Sequence, residues 1–317
     1  MIMPEGPAPA VIAVAKEAER LGFRRLWIPD EGLAARECWV LLGAIAQATT
    51  NIGIGTGITN AYTRHPGVTA AAAATLDELS GGRAALGIGA GGTLTLGPLA
   101  IKRDAPLRAV RDLITASRAL WADESLAADG PIDGFSDARL EYGRPDIPVW
   151  IAGRGPKITQ LAGEVADGFL LSFVHKEFLG AHVQALRTAA ERANRPIPTI
   201  TYMTMLASND EALAEAKRGL TFRLVDSPAE VKERVGLTPT DEAAIRRHLS
   251  EGGPAAAAHL IRDEWLEGFV IVGDAETCRK ELKDLVGKHR FDEFQVPITD
   301  LDSAPQILAA AAAVALG

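Results

Sequence analysis

The stretch from Asn51 to Gly92 constrains the fold most strongly, because it reads as strand, loop, helix, strand and loop. Two β-rich runs, NIGIGTGITN and AALGIGA, flank an alanine-rich helical run, and each leads into a glycine-rich loop. This order predicts a βαβ unit with parallel strands, whose functional loops lie at the carboxyl ends of the strands. The glycines carry no side chain, so the backbone of these loops is accessible. We therefore predict that a flat or phosphorylated ligand approaches the backbone there.

The same alternation of strands and helices extends along the 317 residues, from a short strand at Ile2–Met3 to a final alanine-rich helix. About eight strands alternating with helices predict an α/β fold, a closed (β/α)8 TIM barrel, with an open doubly wound sheet as the alternative. Several strands are apolar throughout, as expected of parallel strands that are covered on both faces. We predict one domain over residues 1–317, with a helical insertion at about 208–267.

Composition and charge argue against several classes of protein. The net charge of −8 disfavours sequence-independent binding of nucleic acid. No apolar run reaches the length of about 18 residues that a membrane span needs, and the first residues show no signal-peptide pattern. The two cysteines, Cys38 and Cys278, are far apart, which predicts neither a disulfide framework nor a metal site and favours the cytoplasm.

Five segments resemble one superfamily, and they follow one another from Leu21 to Thr277: LGFRRLWIPDE, GTGITNAYTRHP, ATLDELSGGRAALGIGAG, IPVWIAGRGPKITQLAGEVADGFLLS and GFVIVGDAET. The chain resembles the luciferase-like flavin and deazaflavin oxidoreductases, and among these the F420-dependent 5,10-methylenetetrahydromethanopterin reductases. The resemblance implies a luciferase-like TIM barrel with insertions, which binds a flat ring at its mouth and passes a hydride to or from it. Such proteins commonly form dimers, so the resemblance is compatible with a homodimer of this chain.

Two loops are the main candidates for binding a cofactor. In the family, the strand end that matches Gly57-Ile58 carries a cis peptide bond that backs the deazaflavin ring; without the resemblance, a plain strand end is favoured, because such bonds are rare. The loop from Gly153 to Lys157 opens a helix, whose free N–H groups and dipole favour an anion. We predict that it holds the phosphate of the cofactor, with an ordinary βα turn as the alternative. The predicted cofactor-binding residues are Gly57, Ile58, Thr59, Asn60, Gly89, Ala90, Gly91, Gly153, Arg154, Gly155, Pro156, Lys157 and Ser172.

Three carboxylic acids are the catalytic candidates. Reduction of a methylene-tetrahydropterin needs a proton that opens the five-membered ring and leaves an iminium to accept the hydride, and a carboxylic acid can supply it. Asp30 and Glu31, where the second predicted strand ends, and Glu5 are the candidates; for each one alone, a salt-bridged loop acid is the alternative. Thr63 is predicted to cap the next helix, and His65 is a weaker candidate proton donor.

The chain departs from the family at three positions. Relatives usually have histidine where Glu31 stands. The reductases carry an acid in the loop after the fourth strand, where this chain has Gly92, and another in the first strand, which aligns at or before Met1.

These features leave three functions open. The first is hydride transfer to 5,10-methylenetetrahydrofolate or its methanopterin analogue, as in one-carbon metabolism, with reduced F420 as the donor, or NADH or NADPH without a flavin. The second is an FMN-dependent monooxygenase, which shares the fold. The third is a barrel that binds a ligand without catalysis.

Overall fold

The protein is described by a computed structural model that covers residues 1–130 and 132–316, without the side chains of 93, 94, 315 and 316. The strands within these ranges are β1 Arg25–Ile28, β2 Gly53–Thr56, β3 Thr59–Asn60, β4 Ala84–Gly89, β5 Val149–Ala152, β6 Gly168–Ser172, β7 Thr199–Met203, β8 Leu206–Ala207, β9 Ile271–Val272 and β10 Glu293–Gln295. The α-helices are α1 Ala8–Arg20, α2 Cys38–Ala48, α3 Pro66–Ser80, α4 Thr93–Leu96, α5 Pro106–Trp121, α6 Pro156–Val165, α7 Leu179–Arg192, α8 Asp210–Val225, α9 Ala229–Val235, α10 Pro239–Ala257, α11 Asp263–Glu267, α12 Ala275–His289 and α13 Ala304–Leu316. None of these helices is long and apolar enough to cross a membrane.

The main sheet is parallel and curled. Its strands pair in the order β1-β2-β4-β5-β6-β7-β10, and β3 adds to the edge of β4 beyond the end of β2. Strands β8 and β9 form a separate parallel pair. Helices cover the outer face of the main sheet, which gives the α/β architecture that the alternation of elements predicts.

The prediction of a closed eight-stranded barrel is confirmed only in part. Between β1 and β10 the predicted first strand is reduced to Ile2, whose N–H donates to the Trp27 carbonyl at 3.0 Å and which forms a single parallel bridge with Ile298. Two residues after Ile2 comes Pro4, which has no N–H group to continue the hydrogen bonding between strands. The predicted strand at Ile2–Met3 is therefore a one-residue bridge.

Side chains alternate along the strands between the outer and inner faces of the curled sheet. Aliphatic side chains face the helices, while Trp27 and Trp150 meet on the inner face with ring centroids 5.2 Å apart and planes at 67°. Glycines oppose them: a Cβ on Gly57 would lie 2.4 Å from the Trp27 Cβ, and one on Gly168 would lie 2.2 Å from the Trp150 ring. Glycine directly after β2 and at the start of β6 makes room for the two indole rings.

The predicted insertion is helical, as expected, and consists of α8 to α11 between β8 and β9. It has an apolar core of its own, in which Leu220 and Leu224 of α8 are buried with Trp265 of α11. The sequence Gly252-Gly253-Pro254 breaks α10, because both glycines have non-helical backbone angles. The grouping of residues 1–317 into one domain stays a prediction.

We expect Gly87→Ala to lower the free energy of unfolding by about 1–3 kcal/mol, as overpacking of a tight interior does. A Cβ at this position would lie 2.1 Å from the backbone oxygen of Thr56, which cannot move without breaking the β2–β4 pairing. Gly155→Ala is the matched control, since its Cβ meets nothing within 4 Å and its φ of −91° suits alanine. Urea unfolding measures both variants. Equal midpoints for the two would contradict this account of the glycines.

Candidate functional site

The carboxyl ends of the strands, here called the mouth of the sheet, are organised around a bulge, defined as Gly57 and Ile58 between β2 and β3. The peptide bond between these residues is cis, which confirms the expectation from the resemblance. The Gly57 N–H donates to the Ile28 carbonyl at 2.7 Å, and the Asp30 N–H donates to the Ile58 carbonyl at 3.2 Å. The end of β1 is thereby attached to both residues of the bulge.

Most glycines at the mouth make room for the protein's own side chains. A Cβ on Gly89 would lie 1.9 Å from Ile58 Cδ1, and one on Gly153 would lie 2.3 Å from Ile158 Cγ2. At Gly89 and Gly153, the space of the missing side chain is therefore filled by the protein itself, and close approach of a ligand to these loops stays a prediction. Gly155 is different, because that space is open within 4 Å. The assignment of these residues to a cofactor stays a prediction.

The structure places the three candidate acids differently. Asp30 is partly buried, and its Oδ2 accepts a hydrogen bond of 2.7 Å from the Thr59 hydroxyl, next to the bulge. Glu31 is also partly buried, and its Oε2 accepts a hydrogen bond of 3.0 Å from the hydroxyl of the buried Thr95. Glu5 is exposed. Asp30 and Glu31 are thus held in place by threonine hydroxyls from two different elements.

The loop after β3 is organised by Asn60, which is buried. Its Oδ1 accepts hydrogen bonds from the backbone N–H groups of Tyr62 and Thr63 at 2.9 and 3.0 Å. The prediction that Thr63 caps the next helix is wrong. His65 is the cap of α3: its Nδ1 accepts from the Gly67 N–H at 3.2 Å, and its Nε2 lies 2.9 Å from the Gly134 carbonyl oxygen.

The predicted phosphate loop joins β5 to α6. Gly155 is the N-cap of α6 and Pro156 its first residue, so the free N–H groups of the helix follow directly. The Arg154 carbonyl oxygen lies 2.9 Å from Nε2 of His182 in α7, and this contact fixes the loop. Burial lowers the pKa of Arg154, against the opposing effect of the nearby Asp226 carboxylate. Lys157 is exposed.

Sequence reasoning missed Arg223 of α8, which also lies at the mouth. Its guanidinium carbon is 3.8 Å from the ring centroid of Phe173, the residue that follows Ser172 at the end of β6. Its charge is close enough to those of Arg154 and Glu31 that both affect its pKa. No motif in the helical insertion indicated this position, since the contact joins segments that are far apart in sequence.

No metal site accompanies these groups: among the residues that the structure describes, no three histidine, cysteine, aspartate or glutamate side chains are placed to hold a metal ion. Cys38 and Cys278 are both buried free thiols. Burial raises the pKa of each thiol.

Comparison with known proteins gives consistent similarities. A model of the luciferase-like monooxygenase family matches residues 1–293. A 5,10-methylenetetrahydromethanopterin reductase of Methanolobus tindarius is 31% identical over 90% of this chain and 89% of its own length. The enzyme of the same name from Archaeoglobus fulgidus is 33% identical over 85% of this chain and 84% of its own. The structure of the coenzyme F420 dependent tetrahydromethanopterin reductase from Methanopyrus kandleri superposes with a TM-score of 0.87 at 26% identity, covering 97% and 95% of the two chains.

We expect Asn60→Ala to lower the free energy of unfolding by about 1–3 kcal/mol, because it removes two hydrogen bonds to partly buried backbone N–H groups of the loop. Asn60→Asp keeps an oxygen at the same position and serves as the control. Thermal unfolding followed by circular dichroism compares the two variants with the wild type. A melting temperature of Asn60→Ala equal to that of the wild type would contradict the role of Asn60 in the loop.

Proposed function

The chain belongs to the luciferase-like monooxygenase family and is an oxidoreductase, and we propose that it transfers a hydride from reduced coenzyme F420 to a methylene-tetrahydropterin. The observation that carries this proposal is the placement, at one mouth, of the bulge with Asp30 beside it and the Arg154 loop. The relatives that are named as methylenetetrahydromethanopterin reductases, at 31% and 33% identity over most of their lengths, support it. We also propose that the curled sheet is a (β/α)8 barrel in which the bridge at Ile2 takes the place of the first strand.

The residues at the mouth fit an anionic cofactor such as F420, which is a deazaflavin on a phosphate-bearing chain. Arg154 forms no ion pair with any carboxylate in the described part of the chain, so its charge is free for a ligand. The open space at Gly155 and the free N–H groups at the start of α6 add to the attraction for a phosphate. When bound, reduced F420 supplies the hydride. The remaining predicted cofactor residues, from Gly57 to Asn60 and from Gly89 to Gly91, with Ser172, belong to the same proposed pocket.

Asp30 is the proposed proton donor. Of the three acids, Asp30 is the one attached to both the bulge and β3: its backbone N–H donates to the Ile58 carbonyl, and its carboxyl group accepts from the Thr59 hydroxyl. The hydroxyl of Thr59 orients the carboxyl group, and proton transfer to a pterin nitrogen opens the ring for the hydride. Glu31, held by Thr95, is the second candidate, and Glu5 is the third.

We propose a folate or a methanopterin as the pterin, bound in the cytoplasm without a nucleic-acid or membrane partner. A homodimer belongs to the same proposal, as do NADH or NADPH as the alternative donors. An FMN-dependent monooxygenase is the competing function within the family.

Titration of the purified protein with F420, FMN, NADH and NADPH tests the proposal. We expect F420 to bind and its reduced form to support reduction of 5,10-methylenetetrahydrofolate or of methylenetetrahydromethanopterin, which absorbance at the deazaflavin band records. Gly155→Asp serves as the matched variant, because it places a negative charge in the open space at the start of α6 and so should abolish binding. Binding of FMN with oxygen consumption, and no binding of F420, would refute the proposed reaction.

We expect Asp30→Asn to lower kcat by about 100-fold or more, as loss of a general acid does, with little change in the Kd of the cofactor. The fold is preserved because the asparagine oxygen still accepts from the Thr59 hydroxyl. Glu31→Gln is the parallel variant, and steady-state kinetics measures both. A larger loss of kcat in Glu31→Gln than in Asp30→Asn would transfer the proton-donor role to Glu31.

A further inference from the structure

Two arginines from distant parts of the chain lie at the same mouth. Arg154 follows β5, and Arg223 belongs to α8 of the helical insertion. The guanidinium of Arg223 lies over the rings of Phe173 and Phe222, at 3.8 and 4.5 Å from their centroids, and its Nη1 donates to the Gly219 carbonyl of its own helix. Its observed partners are therefore ring faces and a backbone oxygen.

Neither guanidinium forms an ion pair with a carboxylate in residues 1–130 and 132–316. Two carboxylates that raise the pKa of these guanidinium groups, Glu215 for Arg223 and Asp226 for Arg154, have other partners. Glu215 pairs with Arg218 and accepts from Thr299, and Asp226 lies 3.5 Å from a guanidinium nitrogen of Arg246.

The two guanidinium groups belong to neighbouring strand ends, because β5 and β6 pair at Ala152 and Leu170, just before Arg154 and the Phe173 ring that Arg223 covers. Both arginine side chains are partly buried. Burial, and then the charge of Arg154, lowers the pKa of Arg223 to about 9, while Glu215 and Glu31 oppose this shift. Arg223 is thus still a cation at neutral pH, but one destabilised by its surroundings. An anion between the two guanidinium groups would relieve both the desolvation and the repulsion.

We propose that Arg223 is a second anion-binding residue, which acts with Arg154 as a two-arginine site (Arg154 and Arg223) for the phosphate of the cofactor. This inference rests on the proposed function and assigns a role in it to the helical insertion. Guanidinium groups suit a phosphate because they donate two parallel N–H bonds to its oxygens. The start of α6 and the open space at Gly155 lie on the Arg154 side of the same site.

A purely structural role for Arg223 is the competing explanation, since its contact with Phe173 joins the insertion to the end of β6. The two roles differ in their dependence on the ligand. A residue that binds phosphate affects the binding only of molecules that carry a phosphate, whereas a structural residue affects the binding of every ligand of the pocket.

The test compares F420 with the deazaflavin riboside that lacks the phosphate chain. We expect Arg223→Gln to weaken F420 binding by about 10- to 100-fold, the effect of losing a charge-assisted hydrogen bond, with little change for the riboside. The matched control is Arg262→Gln, which removes an arginine 4.5 Å from the ring centroid of Trp265 in the same insertion, where it pairs with Asp241. This control should bind both molecules as the wild type does. Equal weakening of both molecules by Arg223→Gln, or no weakening of either, would overturn the inference.

Inorganic phosphate separates this inference from the proposed function. We expect phosphate to raise the melting temperature of the wild type, and to do so less in Arg223→Gln, whatever the cofactor is. Failure of the wild type to bind F420, with the phosphate effect intact, would refute the function and leave the two-arginine site. Binding of F420 with no effect of phosphate or of Arg223→Gln would refute the two-arginine site alone.

Discussion

The packing of Trp27 against Trp150 inside the curled sheet is the constraint on which the rest of the structure depends. The two indole rings meet edge to face, and the Arg25 guanidinium lies 4.9 Å from the ring centroid of Trp150. The rings fit here because glycine faces them in the bulge, at Gly57, and at the start of β6, at Gly168. With Ala85 and Leu170, the two rings form a buried apolar layer inside the sheet, below the mouth.

Ile58 packs above the two tryptophans. Its surroundings illustrate which features could be predicted from the sequence and which could not. The order of strands, the helical insertion and the position of the cis bond follow from the pattern and the resemblance. The structural role of Gly89 could not be predicted, because a sequence does not distinguish a glycine that makes room for a ligand from one that makes room for the side chain of Ile58. Only the fold brings these two residues together. The same limit applies to Ile2, where an apolar pair predicts a strand but Pro4 restricts the pairing to one bridge.

The helical insertion contributes more to the mouth than its sequence indicates. In α8, Leu220 and Leu224 are buried in the core of the insertion, while Arg223 points to Phe173 at the end of β6. An arginine between apolar neighbours on a helix is usually a solvated residue or one whose stem covers apolar surface. The charge of Arg223 becomes informative only when the position of Arg154 is known. A proposed site that an insertion forms over a curled sheet is therefore the part that a single sequence predicts least well.

The charges at the mouth are arranged with opposite signs on its two sides. Asp30 and Glu31 follow β1, whereas Arg154 and Arg223 come from the β5 loop and α8, and the effect of Glu31 on the pKa of Arg223 shows that the two sides interact. Within the proposed function, this arrangement would favour one orientation of a ligand that carries an anion at one end. In the reversed orientation, an anion roughly 5 Å from the Glu31 carboxylate, at an effective dielectric constant of about 20, would be repelled by about 3 kcal/mol, which is about 100-fold in affinity. We therefore expect the arginines to hold the anionic end of the proposed cofactor, so that its other end faces the bulge and the proposed proton donor, Asp30.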